Sequence, residues 1–211
     1  MSDSESRRGS PTSREPGPWD GAYRSASAPW DIGRPQPVFV TLADAGQIEG
    51  PVLDSGCGTG EHALLLAERG IDVLGVDFSP FAIRQAREKA ARRRVNATFA
   101  VHDVLDLESL GRTFRSVIDS GVFHVFDDPA DSARYVAALR SVIEPGGVLH
   151  LMCFSDAQPG SEGPRRVSEA DLRAAFDEGW SIESIEPATF EVNPPMGNAR
   201  AWLARIVRTD D

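Results

Sequence analysis

Val52–Gly60, with the sequence Val-Leu-Asp-Ser-Gly-Cys-Gly-Thr-Gly, joins a short apolar run to three glycines spaced two residues apart. Glycine lets the backbone turn sharply out of a strand and lets a ligand approach the main-chain N–H groups at the start of a helix. The pattern therefore predicts a ligand-binding turn between a strand and a helix. Taken alone, it is also compatible with a tight turn that binds nothing.

Strand-like and helical segments alternate on both sides of this turn, from Val38 onward. The chain closes on two strand-like runs joined by the short turn Asn193–Asn198. Alternation of this kind predicts an α/β fold with a doubly wound, mostly parallel sheet of seven strands. A ligand crevice is expected at the carboxyl ends of the central strands.

Acidic residues stand at the ends of three consecutive predicted strands. Asp54 opens the glycine turn, Asp77 follows Val-Leu-Gly-Val, and Asp103 follows Phe-Ala-Val-His. A carboxylate at the second strand end can accept both hydroxyls of a ribose. One at the third can accept an adenine amino hydrogen, with the Val104 N–H available to a ring nitrogen. The alternatives are a helix cap for Asp77 and an ordinary turn aspartate for Asp103.

Composition narrows the class of partner. The 22 basic and 32 acidic residues give a formal charge of −10, which disfavours a general binder of nucleic-acid phosphates and favours a small-molecule substrate. No run approaches the roughly 20 apolar residues of a membrane helix, so no membrane partner is expected. Without a signal peptide, and with Cys57 and Cys153 as lone thiols, we expect a cytoplasmic protein. No metal site is predicted, and the expected state is a monomer or homodimer.

Three regions follow from the distribution of residue types. Residues 1–18 are rich in Ser, Arg, Pro and Gly and predict a disordered tail. Residues 19–37 combine two tryptophans and a tyrosine with many prolines, which predicts an arm that packs on the domain without regular structure throughout. Residues 38–211 form the single predicted catalytic domain.

Taken together, these motifs resemble those of class I S-adenosylmethionine-dependent methyltransferases. Asp54–Gly60 resembles the first motif of that family, Val73–Asp77 the second, and Val101–Val104 the adenine-contacting turn. Asp119–His124 resembles the fourth motif, and Leu139–Leu151 contains the Leu-Arg-x-x-x-x-Pro-Gly-Gly element. The resemblance implies a Rossmann-like methyltransferase fold, whose seven-stranded, mostly parallel sheet has an antiparallel last strand.

The family resemblance also implies the cofactor and its contacts. The cofactor would be S-adenosylmethionine, leaving S-adenosylhomocysteine as the product. The implied cofactor-binding residues are Asp54, Gly56, Cys57, Gly58, Gly60, Asp77, Phe78, Asp103, Val104, Asp119, Ser120 and Trp30.

A narrower resemblance involves Trp30–Pro37 (Trp-Asp-Ile-Gly-Arg-Pro-Gln-Pro) and Asp119–His124 (Asp-Ser-Gly-Val-Phe-His). Both look like a small-molecule branch that includes thiopurine S-methyltransferase-like enzymes and bacterial quinone or quinolone methyltransferases. In that branch the N-terminal arm closes over the cofactor, which implies a lid over a small aromatic or heterocyclic acceptor. The expected substrate pocket contains Trp19, Tyr23, Trp30, Phe123 and His124.

Two residues are candidates for catalysis. His124 could orient an acceptor hydroxyl or take its proton, and Asp119 could position it. The alternative for His124 is a hydrogen-bonded place in the wall, and an acceptor already ionised needs no base. Other interpretations of the chain are a thiol or halide methyltransferase, an oxidoreductase binding NAD at the same turn, and a non-catalytic module that binds S-adenosylmethionine.

Overall fold

The structure, a computed structural model, describes residues 18–195 and 197–209. Residues 1–17 of the predicted tail therefore lie outside the described residues. The helices are α1 Pro18–Arg24, α2 Pro37–Asp44, α3 Glu61–Glu68, α4 Pro80–Arg93, α5 Pro129–Val142 and α6 Glu169–Ala175. The strands are β1 Val52–Ser55, β2 Val73–Asp77, β3 Thr98–Val101, β4 Phe114–Ser120, β5 Ile143–Phe154, β6 Trp180–Phe190 and β7 Ala199–Arg208.

The seven strands form one sheet in the order β3-β2-β1-β4-β5-β7-β6. Strands β1 to β5 pair in parallel, whereas β7 is antiparallel to both β5 and β6. This confirms the predicted doubly wound sheet and its antiparallel last strand. Strand order reverses between β1 and β4, so the crevice opens above the ends of these two strands.

Both faces of the sheet are covered by helices, each over its own apolar core. Phe39 of α2, Leu64 of α3 and Ile83 of α4 belong to the core on one face. Tyr135 and Leu139 of α5 belong to the core on the other, together with residues of α6. Among the described residues, no helix is long and apolar enough to cross a membrane.

Capping residues set the starts of α4 and α6. The Ser79 side chain accepts the Ala82 N–H at 3.0 Å, and Pro80 begins α4 where its missing N–H costs nothing. Ser168 and Asp171 form a capping box at the start of α6. These capping residues thus fix where α4 and α6 begin.

Pro145-Gly146-Gly147 lies within β5, although proline and glycine usually interrupt a strand. Ile143 pairs with Phe114 and is fully buried, and the register shifts before Val148 pairs with Ser116. Because Ile143 is buried and paired with Phe114, β5 begins before the two glycines.

The arm and two loops also contain unpredicted helical turns. Residues 18–24 of the arm form α1, and 3-10 turns occupy Val104–Leu110 and Phe123–Val125. The 3-10 turns are too short to show the 3.6-residue periodicity from which helices are predicted.

Candidate active site

The glycine turn follows β1 and leads directly into α3. Gly56, Gly58 and Gly60 have φ values of 67°, 53° and 88°, in the left-handed region that favours glycine. A Cβ on Gly58 would lie 2.7 Å from the Tyr23 hydroxyl of the arm. Close approach to the backbone, predicted for a ligand, is here made by an aromatic side chain of the protein.

Three aromatic residues of the arm form a cluster above this turn. The Trp30 ring lies edge-on to Trp19, with centroids 5.1 Å apart, and to Tyr23 at 5.9 Å. The Trp30 Nε1–H donates a hydrogen bond to the Tyr23 hydroxyl at 2.8 Å. Trp30 therefore fixes Tyr23 over Gly58.

Asp20 ties the first half of the arm to α4. Its Oδ1 accepts hydrogen bonds from the Ser79 hydroxyl at 2.6 Å and from the Phe81 N–H at 3.1 Å. The Asp20 residue is only 3% exposed. A carboxylate at a helix N-terminus is favoured by the free N–H groups there, so Asp20 anchors α1 as well as capping α4.

The second half of the arm is held between the glycine turn and the β6–β7 connection. The Thr59 hydroxyl donates to Asp31 Oδ1 at 2.8 Å. Gln36 exchanges two hydrogen bonds with the backbone of Glu191, both 2.9 Å long, and the Asn193 N–H donates to the Pro29 carbonyl. The arm thus bridges the two sides of the crevice.

A cleft with about 460 Å³ of empty space, partly open to solvent, remains beneath the arm. Of the predicted site residues, Tyr23, Trp30, Gly56, Cys57, Gly58, Gly60 and Ser120 line it. The other lining residues are Asp31, Ile32, Arg34, Gln36, Thr59, Glu61, His62 and Phe190. Four of these residues belong to the string Trp30–Pro37 and Thr59 belongs to the glycine turn, whereas nothing local marks His62 or Phe190 as part of the cleft.

Three buried carboxylates lie at the strand ends below the cleft. Asp77 accepts the Gly58 N–H at 2.9 Å and the Ser79 N–H at 2.8 Å, one on each oxygen. Asp54 accepts the Ala63 N–H at 3.0 Å. Both residues therefore help hold the glycine turn, and Asp77 has a structural role in addition to the one predicted for it.

The charge of these carboxylates is not balanced by the protein. Burial, and to a smaller degree the charge of Asp77, raises the pKa of Asp54 to about 7. Burial also raises the pKa of Asp77, and that of Asp119 to about 6. Among residues 18–195 and 197–209, no lysine or arginine forms a salt bridge with any of the three. Such a site favours a cationic ligand, and a sulfonium with an α-ammonium group fits it.

Asp103, Val104 and Phe78 lie outside the cleft, toward the edge of the sheet. Asp103 is exposed, and its Oδ1 accepts the Leu105 N–H at 2.9 Å as the cap of a 3-10 turn. The His102 N–H donates to the Asp77 carbonyl at 3.0 Å, which places this turn beside the end of β2. Phe78 is half-buried directly after Asp77. The structure therefore does not bring these three predicted cofactor contacts into the cleft.

The two catalytic candidates are both enclosed. Asp119 accepts hydrogen bonds from the Val122 N–H at 2.7 Å, the Phe123 N–H at 3.0 Å and the Tyr135 hydroxyl at 3.1 Å. It is fully buried and holds the turn after β4. Asp119 therefore supports the wall of the cleft and does not line it.

His124 stands beside Phe190, a residue of the cleft wall, and is itself only 5% exposed. Its Nδ1 accepts the Phe154 N–H at 2.9 Å, and its ring packs against Phe154 and Phe190. Phe123, predicted to line the substrate pocket, lies in the core instead, because its ring packs 5.6 Å from Phe176 and is 1% exposed. Trp19 does not line the cleft either. It packs against Trp30, which does.

Comparison with known proteins agrees with this geometry. The family described as "Methyltransferase domain" matches residues 52–147. A 2-heptyl-1-hydroxyquinolin-4(1H)-one methyltransferase from Mycobacteroides abscessus is 36% identical over 173 residues, covering 80% of this chain and 75% of the relative.

Two solved structures show the same fold. One comes from work on the conversion of a disulfide bond into a thioacetal group during echinomycin biosynthesis. It is 39% identical with a TM-score of 0.82, covering 90% of this chain and 92% of that one. The magnesium protoporphyrin IX methyltransferase of Synechocystis PCC 6803 with bound S-adenosylmethionine is 25% identical with a TM-score of 0.63, covering 82% and 77%. The sheet order, the glycine turn and these relatives agree: this chain belongs to the S-adenosylmethionine-dependent methyltransferases.

Proposed function

We propose that this enzyme transfers a methyl group from S-adenosylmethionine to an O, N or S atom of a small, flat aromatic or heterocyclic molecule. The observation that carries the proposal is the docked arm, whose Tyr23 and Trp30 line the same cleft as Ser120 and Phe190. Aromatic walls suit both a flat acceptor and a cationic sulfur. The 2-heptyl-1-hydroxyquinolin-4(1H)-one methyltransferase supports this acceptor class. We place the reaction in secondary metabolism or detoxification.

In this proposal the cofactor lies along the ends of β1, β2 and β3. Asp77 accepts the ribose hydroxyls, while Asp103 and the Val104 N–H receive the adenine beside Phe78. The remaining contacts are assigned to Asp54, Gly56, Cys57, Gly58, Gly60, Asp119, Ser120 and Trp30, with Asp54 and Asp119 acting through charge. The acceptor lies between the arm and the wall backed by His124.

Methyl transfer from a sulfonium is an in-line displacement, which the cofactor makes possible because its sulfur is a good leaving group. The protein has to hold the acceptor at about 3–3.5 Å from the methyl carbon and to exclude water. The arm serves this purpose because it is bonded to both sides of the crevice through Asp31 and Gln36. We accordingly propose that residues 19–37 are a lid.

A screen of acceptors with mass analysis of the products tests the proposal. The panel contains phenols, hydroxyquinolones, quinones, thiols and halide, each with labelled S-adenosylmethionine. We expect a mass increase of one methyl group on at least one aromatic acceptor, inhibited by S-adenosylhomocysteine. Methylation of only thiols or halide would move the enzyme to the alternative acceptor class, and methylation of RNA or protein alone would contradict the proposal.

Binding of S-adenosylmethionine is expected to release protons. The pKa values of about 7 for Asp54 and about 6 for Asp119 keep these groups partly protonated in the ligand-free protein. A bound cation favours their ionised forms, so the protons leave and affinity increases as pH rises through this range. Without the ligand, the unfolding free energy falls as pH rises from the unfolded value of 3.8 through the same range, because the folded state binds more protons.

Calorimetry in two buffers of different ionisation enthalpy, at a pH between those two values, measures this release. S-adenosylhomocysteine, which lacks the sulfonium charge, is the matched control and should release fewer protons. Identical heats in both buffers would show that the two carboxylates do not respond to the ligand.

Location and assembly complete the proposal. We propose a cytoplasmic enzyme, an assignment supported by the two buried free thiols Cys57 and Cys153. We further propose that it acts as a monomer or homodimer and without nucleic acid, in line with its formal charge of −10.

A further inference from the structure

We propose that the acceptor is bound already ionised, as an oxyanion or a thiolate, and that the protein supplies no general base. This inference rests on the proposed function and deepens it by naming the chemical form of the acceptor. It follows from how the basic atoms around the cleft are used and from where positive charge lies.

His124 is a hydrogen-bond donor at this wall. Its Nδ1 accepts the Phe154 N–H at 2.9 Å, which only an unprotonated nitrogen can do, so the neutral ring carries its hydrogen on Nε2. A Cβ on Gly121 would lie 3.0 Å from this Nε2 and 3.1 Å from Phe190. The Nε2–H therefore faces the same wall as Phe190. Burial, together with Arg165 and Arg166, lowers the pKa of His124 to about 3, which keeps the ring neutral.

The second histidine of the cleft is engaged in the same way. His62 Nε2 accepts the Gln36 N–H at 3.1 Å, and its ring packs edge-on against Phe39. Burial lowers its pKa to about 4. Its basic nitrogen is thus used to hold the arm, and it has no lone pair for a substrate proton.

The acidic groups near the site hold hydrogen-bond donors as well, and Asp54, which accepts the Ala63 N–H, does not line the cleft. Glu61 accepts hydrogen bonds from Lys89 and Arg93 on its two oxygens, and Asp119 accepts three donors. Asp77 holds two backbone N–H groups. Asp31 accepts the Thr59 hydroxyl on Oδ1 at 2.8 Å and thereby holds the arm to the glycine turn.

Two guanidinium groups lie beside the aromatic residues that surround His124. The Arg165 guanidinium stacks 4.9 Å from the Phe123 ring, and that of Arg166 lies 5.4 Å from Phe154. Arg166 donates to five carbonyls of its own loop and is therefore fixed in place. Among the described residues, Arg165 Nε is buried without a hydrogen-bond partner. Both guanidinium groups act electrostatically on His124, and their positive charge favours an anion near it.

The transfer then balances without a protein base. The acceptor loses its proton to solvent before it binds, and its anionic O or S forms the new bond to the methyl carbon. The sulfur–methyl bond breaks, its electron pair returns to sulfur, and the products are the neutral methylated acceptor and neutral S-adenosylhomocysteine. The Nε2–H of His124 orients the anion by a charge-assisted hydrogen bond.

The pH dependence of kcat/KM for a series of para-substituted phenols and thiophenols tests this inference. We expect the rising limb of each profile to move with the pKa of the acceptor in solution. His124→Asn keeps an oxygen near Nδ1 for the Phe154 N–H but removes Nε2–H, so it should lower kcat/KM several-fold without moving the limb. Asp31→Asn should leave the position of the limb unchanged.

A binding measurement separates this inference from the proposed function. With S-adenosylhomocysteine bound, the protein should hold 4-nitrophenol as the coloured phenolate at pH values below its solution pKa, and Arg165→Gln should weaken this several-fold. Three results would overturn the inference. They are a rising limb at the same pH for every acceptor, loss of the rising limb in His124→Asn or Asp31→Asn, and binding of 4-nitrophenol in its colourless, un-ionised form. S-adenosylhomocysteine binding and methylation of un-ionised acceptors would still support the methyltransferase function.

Discussion

Replacing Asp77 with alanine is expected to weaken S-adenosylhomocysteine binding by ~2 kcal/mol or more, which is roughly 30-fold in affinity. Asp77 is 9% exposed at the end of β2, and each of its oxygens accepts one backbone N–H. Each oxygen retains lone-pair capacity for a ribose hydroxyl. Alanine removes that contact and also frees the Gly58 N–H, so the turn and the cofactor contact are lost together.

Asp72→Ala is the matched control, because Asp72 lies immediately before the other end of β2. Its carboxylate is 68% exposed and pairs with Arg112 on the surface. Calorimetry of both variants, with circular dichroism to verify folding, separates loss of the ligand contact from general damage to the strand. Wild-type affinity in Asp77→Ala would show that this carboxylate serves the fold alone.

Removal of residues 1–37 is expected to lower the methyl-transfer rate by on the order of 100-fold or more, as a loss of acceptor positioning does. This deletion takes away Asp20, which caps α4, and Tyr23, which lies over Gly58. Water then reaches the cleft. Removal of residues 1–17 alone leaves all these contacts in place and should leave activity intact.

A point variant separates lid function from the loss of α1. Trp30→Phe keeps an aromatic ring but loses the Nε1–H bond to the Tyr23 hydroxyl. It should lower kcat by a smaller factor than the long truncation and leave the thermal unfolding midpoint near that of the wild type. Equal activity of the two truncated proteins would contradict the lid proposal.

The sequence predicts those parts of the site that depend on neighbouring residues. Gly58 and its flanking glycines have the left-handed φ values that their spacing suggests, and Ser79 caps α4. The sheet order follows from alternating elements and from the right-handed crossover rule. These features are local, or they are consequences of chain geometry that hold for any sequence of this pattern.

Contacts between distant segments were not predictable in this way. Asp20 lies 59 residues from Ser79, and nothing near Asp20 marks it as a cap for another helix. Phe190 reaches the cleft only because β6 and β7 fold back beside β5. The enclosure of His124 depends on the Phe154 N–H and on Arg165 and Arg166, which stand far from it in the sequence.

The crowding at Gly121 limits how the acceptor preference of this enzyme could be redesigned. Gly121 has a φ of 90°, and any side chain there would meet His124 and Phe190. We therefore expect no substitution to be tolerated at Gly121 or at the glycines of the turn. Diversity in a library is better placed at Ile32, Ser120 and Phe190, whose side chains line the cleft and can change size while the backbone stays in place.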